Sequence, residues 1–252
     1  MDLIRRKSME RIMVIPDLHL DASEELHPAY KLVKKFAKSF KPDGVIFLGD
    51  VLDLAYISSF EEKNIRLISV KSFRPDFDLW QKELDYWQSL TGQIWVREGN
   101  HEERITRYLD KNPQLVGALE LEEKCEYQRR GIKYARVVDP PTKIGHCNFI
   151  HGWYTNLYHA KKHVSMMGEN IAYAHVHDVQ SYSLKTLAND HEVCAWSLGC
   201  LCDVQPNWLK GRPSKWMHAF ANYYVNRKTG RFNLYPVRIF DNEFIWDGHL
   251  WK

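Results

Sequence analysis

The sequence predicts an α/β protein, because two kinds of hydrophobic pattern alternate along its 252 residues. Short runs rich in β-branched and aromatic residues are followed by stretches in which apolar residues recur at helical spacing. The run GVIFLGD is apolar almost throughout, which is typical of a strand buried on both faces. No repeat, low-complexity tract or Pro/Gly/Ser linker divides the sequence, so we expect one domain over residues 1–252.

The first half of the chain is predicted to contain three strands and two helices. A strand over residues 12–15 precedes a helix over 27–40, and strands over 44–50 and 93–101 flank a helix over 76–90. The second helix carries large apolar residues at helical spacing, which indicates contact with the core rather than with a cofactor. These residues are Phe77, Trp80, Leu84 and Trp87.

The second half continues the alternation. Residues 102–121 are predicted to be helical with a break at Pro113, because proline lacks the N–H that a helix interior requires. The further predicted elements are a strand over 146–153, a helix over 156–167 and strands over 171–177 and 192–199. Aromatic and polar residues alternate around the turn RKTG, which predicts a C-terminal β-hairpin region over 219–252. Residues 203–218 are interpreted as a loop insertion, and residues 1–8 as a flexible extension.

The composition is that of an ordinary globular protein, with 44% hydrophobic and 27% charged residues. A net charge of +3 is too small to indicate nucleic-acid binding by itself. The sequence has no apolar run of about 18 residues and no apolar signal segment, so we expect a cytoplasmic protein without a membrane partner. The five cysteines, an odd number, are interpreted as reduced and buried thiols.

The stretch IPDLHLD places Asp17 and His19 where the first predicted strand ends. Side chains two apart in an extended strand point the same way, so both would face one pocket if the extended geometry continues. A carboxylate and an imidazole that converge form half of a metal site. Taken alone, the pair would be read as a loop aspartate and an exposed histidine.

Five segments share this feature: an apolar run ends and a residue able to bind metal follows at once. In open α/β sheets, ligands bind beyond the carboxyl ends of the strands, so five such ends can surround one pocket. The residues are Asp17, His19, Asp50, Asp53, Asn100, His101, His151, His175 and His177. Each motif alone is weak, but the ordered set predicts a metal centre.

The order D-x-H, G-D-x-x-D, G-N-H-E, H and H-x-H resembles the calcineurin-like metallophosphoesterase superfamily over residues 13–177. The resemblance implies a four-layer αββα sandwich, in which two mixed β-sheets pack together between helices, with two metal ions at the strand ends. The segments GNHEER and SLGCLC are also similar to small phosphoesterases that phages encode, which suggests a viral or prophage origin.

The resemblance also implies which side chains bind the metals. The first ion would be bound by Asp17, His19, Asp50 and His177. The second would be bound by Asp50, Asn100, His151 and His175, with the Asp50 carboxylate bridging both ions. Three residues depart from the family pattern without removing a ligand: Ala174, Val176 and Trp153, the last at a position where the family often has a histidine.

The predicted ligand types suit a binuclear centre that hydrolyses phosphate esters. Two divalent ions about 3.5–4 Å apart share a water, lower its pKa towards neutrality and neutralise charge on the phosphate oxygens. The resulting hydroxide attacks phosphorus in line with the leaving oxygen. Carboxylate, amide and imidazole ligands without thiolate favour Mn²⁺, with Fe, Zn²⁺ or Ni²⁺ as alternatives, over Ca²⁺.

Other polar residues are predicted to act on the substrate. By the resemblance, His101 matches the general acid that protonates the leaving oxygen, and Asp53 matches the residue that orients it. Asp53 would otherwise be a helix N-cap. Arg104 is predicted either to contact a substrate phosphate or to lie on a solvated face. His159 and His163 are four residues apart, a spacing that can bind metal, but without a third ligand nearby we expect a surface position or a contact with substrate phosphate.

The segment QPNWLKGRPSKWMH interleaves basic and aromatic residues. Such residues stack on bases and neutralise backbone phosphates, so substrate binding is predicted for Trp208, Lys210 and Arg212. Lys215 and Trp216 belong to the same pattern. The alternative is a rigid Pro–Gly loop whose tryptophans cover an edge of the sheet.

Taken together, these observations predict a two-metal phosphodiesterase that acts on nucleic acid, DNA or RNA, or on nucleotides. A monoester carries two negative charges and usually requires cations beside the metals. Arg104 is the only basic residue within three positions C-terminal of a proposed ligand or acid. The alternatives are a phosphomonoesterase and a non-catalytic, metal-stabilised binding module, although a purely structural site would not need His101. The oligomeric state is left open.

Overall fold

The structure is a computed structural model that describes residues 8–58, 72–187 and 191–252, without the side chain of Trp208. The predicted flexible extension therefore lies outside the described residues except for Ser8. The predicted substrate contact of the Trp208 side chain lies outside them as well.

The first sheet contains six strands. Its order is β11 (Phe232–Arg238), β10 (Ala219–Asn226), β1 (Met9–Ile15), β2 (Gly44–Phe47), β3 (Ile94–Arg97) and β4 (Lys133–Ala135). Strands β1 to β4 are parallel, and β10 pairs antiparallel with both β1 and β11. The carboxyl ends of β1, β2 and β3 therefore lie side by side at one edge of the sheet.

The second sheet contains five strands. Its order is β5 (Thr142–Ile144), β6 (Cys147–Phe149), β7 (Asn170–Tyr173), β9 (Val193–Leu198) and β8 (Val179–Leu184). Strands β6, β7 and β9 are parallel, and the edge strands β5 and β8 are antiparallel to their neighbours. A separate hairpin consists of β12 (Phe244–Trp246) and β13 (His249–Trp251).

Five α-helices lie among the described residues. They are α1 (Pro28–Phe40), α2 (Phe73–Leu90), α3 (Glu103–Lys111), α4 (Leu121–Lys124) and α5 (His159–Met167). Helix α1 begins where His27 Nδ1 accepts the N–H of Ala29, and it ends at Lys41 in a left-handed conformation. The predicted break at Pro113 is confirmed, because α3 ends before it and α4 begins only after a short 3₁₀ turn.

The two sheets pack face to face, and helices cover their outer faces. Strand β1 shows the alternation behind this arrangement: Met13 and Ile15 pack in the cluster that contains α1 and α2, whereas Ile12 and Val14 pack against the second sheet. Helix α5 covers the other face of the second sheet, where Val164 packs with strand β7. The predicted four-layer αββα architecture is confirmed.

The differences from prediction concern short elements. Strands β4, β5 and β8 were not predicted, and β12 and β13 form a second hairpin inside the region over 219–252, where one hairpin around the turn RKTG was predicted. These strands have three to six residues and lie at sheet edges or in the separate hairpin. Few of their side chains are buried there, so their sequences show no clear apolar pattern. Helix α2 begins three residues before its predicted start, and α5 begins three residues after its predicted start.

The single domain stays a prediction. Among the described residues, no helix is both long and apolar enough to cross a membrane.

Candidate metal centre and active site

The candidate site lies where the carboxyl ends of five strands meet. Strands β1, β2 and β3 end within three residues of Asp17, Asp50 and Asn100 respectively. Strands β6 and β7 of the second sheet end two residues before His151 and His175. Because neighbouring parallel strands end at the same edge, side chains from distant parts of the sequence are brought together here.

A first group of four side chains is able to bind a metal ion. Asp17, His19, Asp50 and His177 each offer a ligand atom within 4.8 Å of the others. The Nε2 atoms of His19 and His177 are 3.2 Å apart, and His177 Nε2 is 3.5 Å from Asp17 Oδ1. Asp17, Asp50 and His177 are buried. Four donor atoms therefore surround one small volume.

A second group shares Asp50 with the first. Ligand atoms of Asp50, His151 and His175 also lie within 4.8 Å of one another. His151 Nε2 is 3.3 Å from Asp50 Oδ2 and 3.0 Å from His175 Nδ1. Asn100 Oδ1 approaches the same nitrogen to 3.0 Å. The structure thus brings all the predicted ligands together around one shared carboxylate.

The contacts of His151 indicate that this second group suits a cation. His151 Nδ1 donates to the carbonyl oxygen of Leu48 at 3.0 Å, so in the neutral ring Nε2 carries a lone pair. That lone pair faces oxygens of Asp50 and Asn100, and acceptors facing one another need a positive charge between them. Burial lowers the pKa of His151, but the carboxylates of Asp50 and Asp17 outweigh it and raise the value to about 9. The donor set therefore fits a divalent ion.

The carboxylates of the centre are ionised. Burial raises the pKa of Asp50, but His151 and His101 outweigh this effect and hold the value well below the usual range. For His177 the two effects have the opposite signs: burial lowers the pKa, but the neighbouring Asp17 carboxylate outweighs burial and raises the pKa to about 10. The two buried carboxylates, Asp17 and Asp50, thus stabilise positive charge on neighbouring groups, which is the property that ligands of a binuclear metal site require.

Backbone conformation sets the direction of these ligand side chains. The expectation that Asp17 and His19 converge through extended strand geometry is wrong. His19 does not continue the extended geometry of β1, because its φ is 45°. Asp50, His175 and His177 also have positive φ, of 48°, 69° and 61°. Such left-handed conformations are unfavourable for residues with a Cβ and concentrate at functional sites. Asp17 and His19 therefore converge because the chain turns, with the N–H of His19 donating to Asp50 O at 2.9 Å.

Two glycines permit the close approach of these loops. A Cβ on Gly99 would lie 2.1 Å from Asp50 Oδ1, and one on Gly49 would lie 2.7 Å from the backbone of Gly99. Gly49 also has a φ of 102°, a conformation that L-residues rarely adopt. The glycines of the G-D and G-N motifs are thus required by contact between the two loops.

His101 lies beside the centre, but its partners differ from those predicted. Its Nδ1 donates to the backbone oxygen of Asp53, and its Nε2 accepts from Arg104 at 2.8 Å. The Asp53 carboxylate is 3.5 Å from His101 and 3.3 Å from His19 Nδ1, to which it hydrogen-bonds. Burial lowers the pKa of His101 to about 4. The backbone of Asp53, rather than its side chain, therefore orients the His101 ring.

Glu102 has a role that the sequence did not reveal. Its buried carboxylate accepts from the N–H groups of Asp50 at 2.9 Å, Leu52 at 2.9 Å and Gly99 at 2.8 Å. These bonds tie the loop after β2 to the loop after β3. The only signal in the sequence is the position of Glu102 three residues after Gly99, in the motif G-N-H-E.

His159 and His163 are fully buried, so the expected surface or phosphate contact is wrong. His159 hydrogen-bonds through Nε2 to the carboxylate of Asp178 at 3.1 Å, next to the ligand His177. His163 Nε2 accepts the N–H of Trp153 at 3.0 Å, two residues after the ligand His151. The two histidines therefore join α5 to two of the ligand-bearing loops.

A cavity of about 550 Å³ opens beside the centre. The loop over 203–218 contributes Asp203, Pro206, Asn207 and Trp216 to its wall. The Trp216 ring packs on His177, with 4.1 Å between the ring centroids. Lys210 and Arg212 are exposed and do not belong to the described lining of this cavity. The loop thus borders the site, and Trp216 of the predicted basic and aromatic pattern lines the cavity, while a role for Lys210 and Arg212 in substrate binding stays a prediction.

All five cysteines are free and buried, as expected. Cys202, however, lies at the wall of the cavity, with its Sγ 4.0 Å from His177 Nδ1. With His19 and His177 it forms a further group whose ligand atoms lie within 4.8 Å. Cys202 is therefore a buried thiol, as predicted, and it also lies beside two of the predicted metal ligands.

Two packed sheets with buried Asp and His side chains at their strand ends define an α/β protein with a candidate binuclear metal site. Residues 10–198 match the sequence profile of the family described as calcineurin-like phosphoesterase. The chain belongs to this family, and the resemblance inferred from its motifs is confirmed. Membership and the His/Asp/Asn cluster together indicate a metal-dependent phosphoester hydrolase that uses divalent ions.

No curated protein matches the sequence. Among solved structures, the chain is similar to the protein TT1561 of Thermus thermophilus, with 6% sequence identity and a TM-score of 0.36. The similarity covers 90% of this chain and 98% of that one.

Proposed function

We propose that this protein hydrolyses phosphodiesters at the candidate metal centre. One observation supports a diester over a monoester: no described residue that lines the 550 Å³ cavity is Lys or Arg. Arg104 is close to the centre, but its guanidinium already donates to Asp53 O and His101 Nε2 at 2.8 Å each. A dianionic monoester would need additional cations, whereas a monoanionic diester needs fewer.

We assign two divalent ions, Mn²⁺ in the first instance, to the two groups of ligands. One group comprises Asp17, His19, Asp50 and His177, and the other Asp50, Asn100, His151 and His175. When bound, the ions supply Lewis acidity at the phosphate and lower the pKa of water. Elemental analysis after reloading with Mn²⁺ should find two ions per chain, and a maximum of one would contradict the assignment.

His101 is proposed to protonate the leaving oxygen. Its Nδ1–H bond to Asp53 O holds the ring so that Nε2 is the atom left for this task. Because Arg104 donates to Nε2 in this structure, the proton can be carried there only when Arg104 moves away. The displaced guanidinium would then be available to bind a non-bridging phosphate oxygen.

Nucleic acid is the proposed class of long substrate. Lys210 and Arg212 are exposed and lie in the 203–218 loop between the cavity-lining residues Asn207 and Trp216. Together with Trp208, they are proposed to contact a DNA or RNA chain that extends out of the site. Arg212→Ala should therefore weaken oligonucleotide cleavage and leave small diesters unaffected.

The deciding experiment compares esters with the same leaving group. Mn²⁺-loaded protein should hydrolyse bis(p-nitrophenyl) phosphate faster than p-nitrophenyl phosphate, and it should cut single- or double-stranded DNA or RNA. Much faster hydrolysis of the monoester, with nucleic acid left intact, would identify a phosphomonoesterase. No hydrolysis of any ester despite two bound ions would indicate a binding module.

A further inference from the structure

A second, smaller cavity also borders the candidate centre. Its volume is about 280 Å³, and its walls come mainly from the segments around β3 and after β6. Asn100 and His175 line both this cavity and the larger one, and the ligand His151 also lines the smaller one. The two cavities therefore meet at the centre. A phosphodiester carries two ester groups, so a centre with a cavity on each of two approaches can receive both.

The smaller cavity has an exposed aromatic wall. Trp153 lines it with 47% of its surface accessible. Its backbone N–H donates to His163 Nε2, and its ring lies nearly parallel to the His163 ring, with 6.1 Å between centroids and an interplanar angle of 18°. His163 is itself fully buried and stacks on Tyr173 at 3.8 Å. The indole is thus supported from below, and much of its surface is left for a ligand.

The charged groups of this cavity already have partners. Arg97 donates to backbone carbonyl oxygens at 2.9 and 3.1 Å. Glu98 accepts from the N–H of Val137 at 2.9 Å, and Glu103 pairs with Arg107. The described lining thus holds one cation, Arg97, against two carboxylates, Glu98 and Glu103, and has no excess of positive charge for a further phosphate. The cavity consequently suits an uncharged group better than a polyanion.

We propose that Trp153 stacks against one ester group of a phosphodiester, and that this group is an uncharged ring such as a nucleobase or an aryl group. The volume is below the roughly 300–1,000 Å³ of pockets for drug-sized ligands, so the cavity accepts a single ring system. The assignment rests on the proposed function, because it places one of the two ester groups of the substrate.

Three diesters with the same p-nitrophenolate leaving group test the assignment. Their second ester group is methyl, phenyl or 5′-thymidyl. Since stacking on an aromatic side chain contributes about 5- to 150-fold per base, Trp153→Ala should lower kcat/KM by roughly 10-fold or more for the phenyl and thymidyl diesters. The methyl diester should be hydrolysed as by the wild type, and Trp153→Phe should retain most activity on all three.

Tyr158→Ala is the matched control, because Tyr158 is an aromatic residue on the same segment, 67% exposed, and outside the described lining of both cavities. It should leave all three rates unchanged. An equal loss on all three diesters in Trp153→Ala would indicate that Trp153 only positions the His151 loop, and no loss on any would exclude stacking. Either result overturns the proposal.

Calorimetry separates this proposal from the proposed function. The probe is a thymidine diester in which a methylene group replaces the leaving oxygen, so binding is measured without turnover. Wild-type protein should bind it roughly 10-fold more tightly than Trp153→Ala does. If the wild type hydrolyses no diester, the proposed function fails. The difference in binding between the wild type and Trp153→Ala still shows whether Trp153 stacks against the ligand. Equal binding by both proteins, or no binding by either, overturns the stacking assignment.

Discussion

The protonation of His163 provides a sharp test of how α5 is joined to the site. Its Nδ1 donates to His159 O at 2.8 Å, and its Nε2 accepts the N–H of Trp153 at 3.0 Å. Only the second of these bonds requires the neutral ring, because a protonated Nε2 has no lone pair with which to accept. Burial accordingly lowers the pKa of His163 from 6.5 to about 4. Protonation would replace the second bond with two donors facing each other in a buried position.

The direction and size of the pH effect follow from this shift. The pKa of His163 is about 6.5 in the unfolded chain and about 4 in the folded one. Between these values only the unfolded chain takes up the proton, so the free energy of unfolding decreases as the pH falls from 6.5 to 4. Above pH 6.5 the contribution of His163 to the free energy of unfolding is fully present. A difference of this size corresponds to about 3 kcal/mol.

Urea unfolding of the metal-free protein from pH 7 to pH 4 measures the effect. His163→Gln is the reference, because its amide oxygen can accept the N–H of Trp153 without titrating. The wild type should lose about 3 kcal/mol more than this variant across the interval. His163→Ala should instead be less stable by about 1–3 kcal/mol even at pH 7, because the N–H of Trp153 loses its acceptor. Parallel stability curves for the wild type and His163→Gln would refute the reasoning.

Further predictions concern the centre itself. Glu102→Gln should weaken metal binding about 10- to 100-fold, because one of its three N–H partners loses its acceptor. Glu103→Gln, the same change one residue on, removes only a partly exposed pair and should leave metal affinity unchanged in the same titration. His101→Ala should keep both metals and lose about 10²–10⁴-fold in kcat on poor leaving groups, and less on good ones. Asp50→Ala should lose metal and activity together, and equal activity loss with metal retained would contradict its bridging role. Each ion at about 100 times its dissociation constant should stabilise the folded state by about 2.7 kcal/mol, so chelation of both ions should lower Tm by roughly 10–20 °C in calorimetry.

The sequence alone determined the order of the main elements and the residues that follow them. Strands β1, β2, β3, β6 and β7 are signalled by apolar runs, since burial on both faces excludes polar residues. The polar residues that end these runs mark the place where the chain leaves the core. This local signal, together with the resemblance of the ordered motifs to a family, was sufficient to predict the four layers and to select the ligands of the candidate centre.

Tertiary structure decided how those residues meet. The left-handed turns at His19 and His175 result from contacts between loops far apart in sequence, and no neighbouring residue signals them. For the same reason, Glu102 looked like the start of a helix and His163 like a surface residue, until the packed loops supplied three N–H donors to the one and buried the other. Periodicity records which face of an element is buried. It does not record which polar groups of other segments arrive at that face, because those contacts exist only when the sheets have packed together.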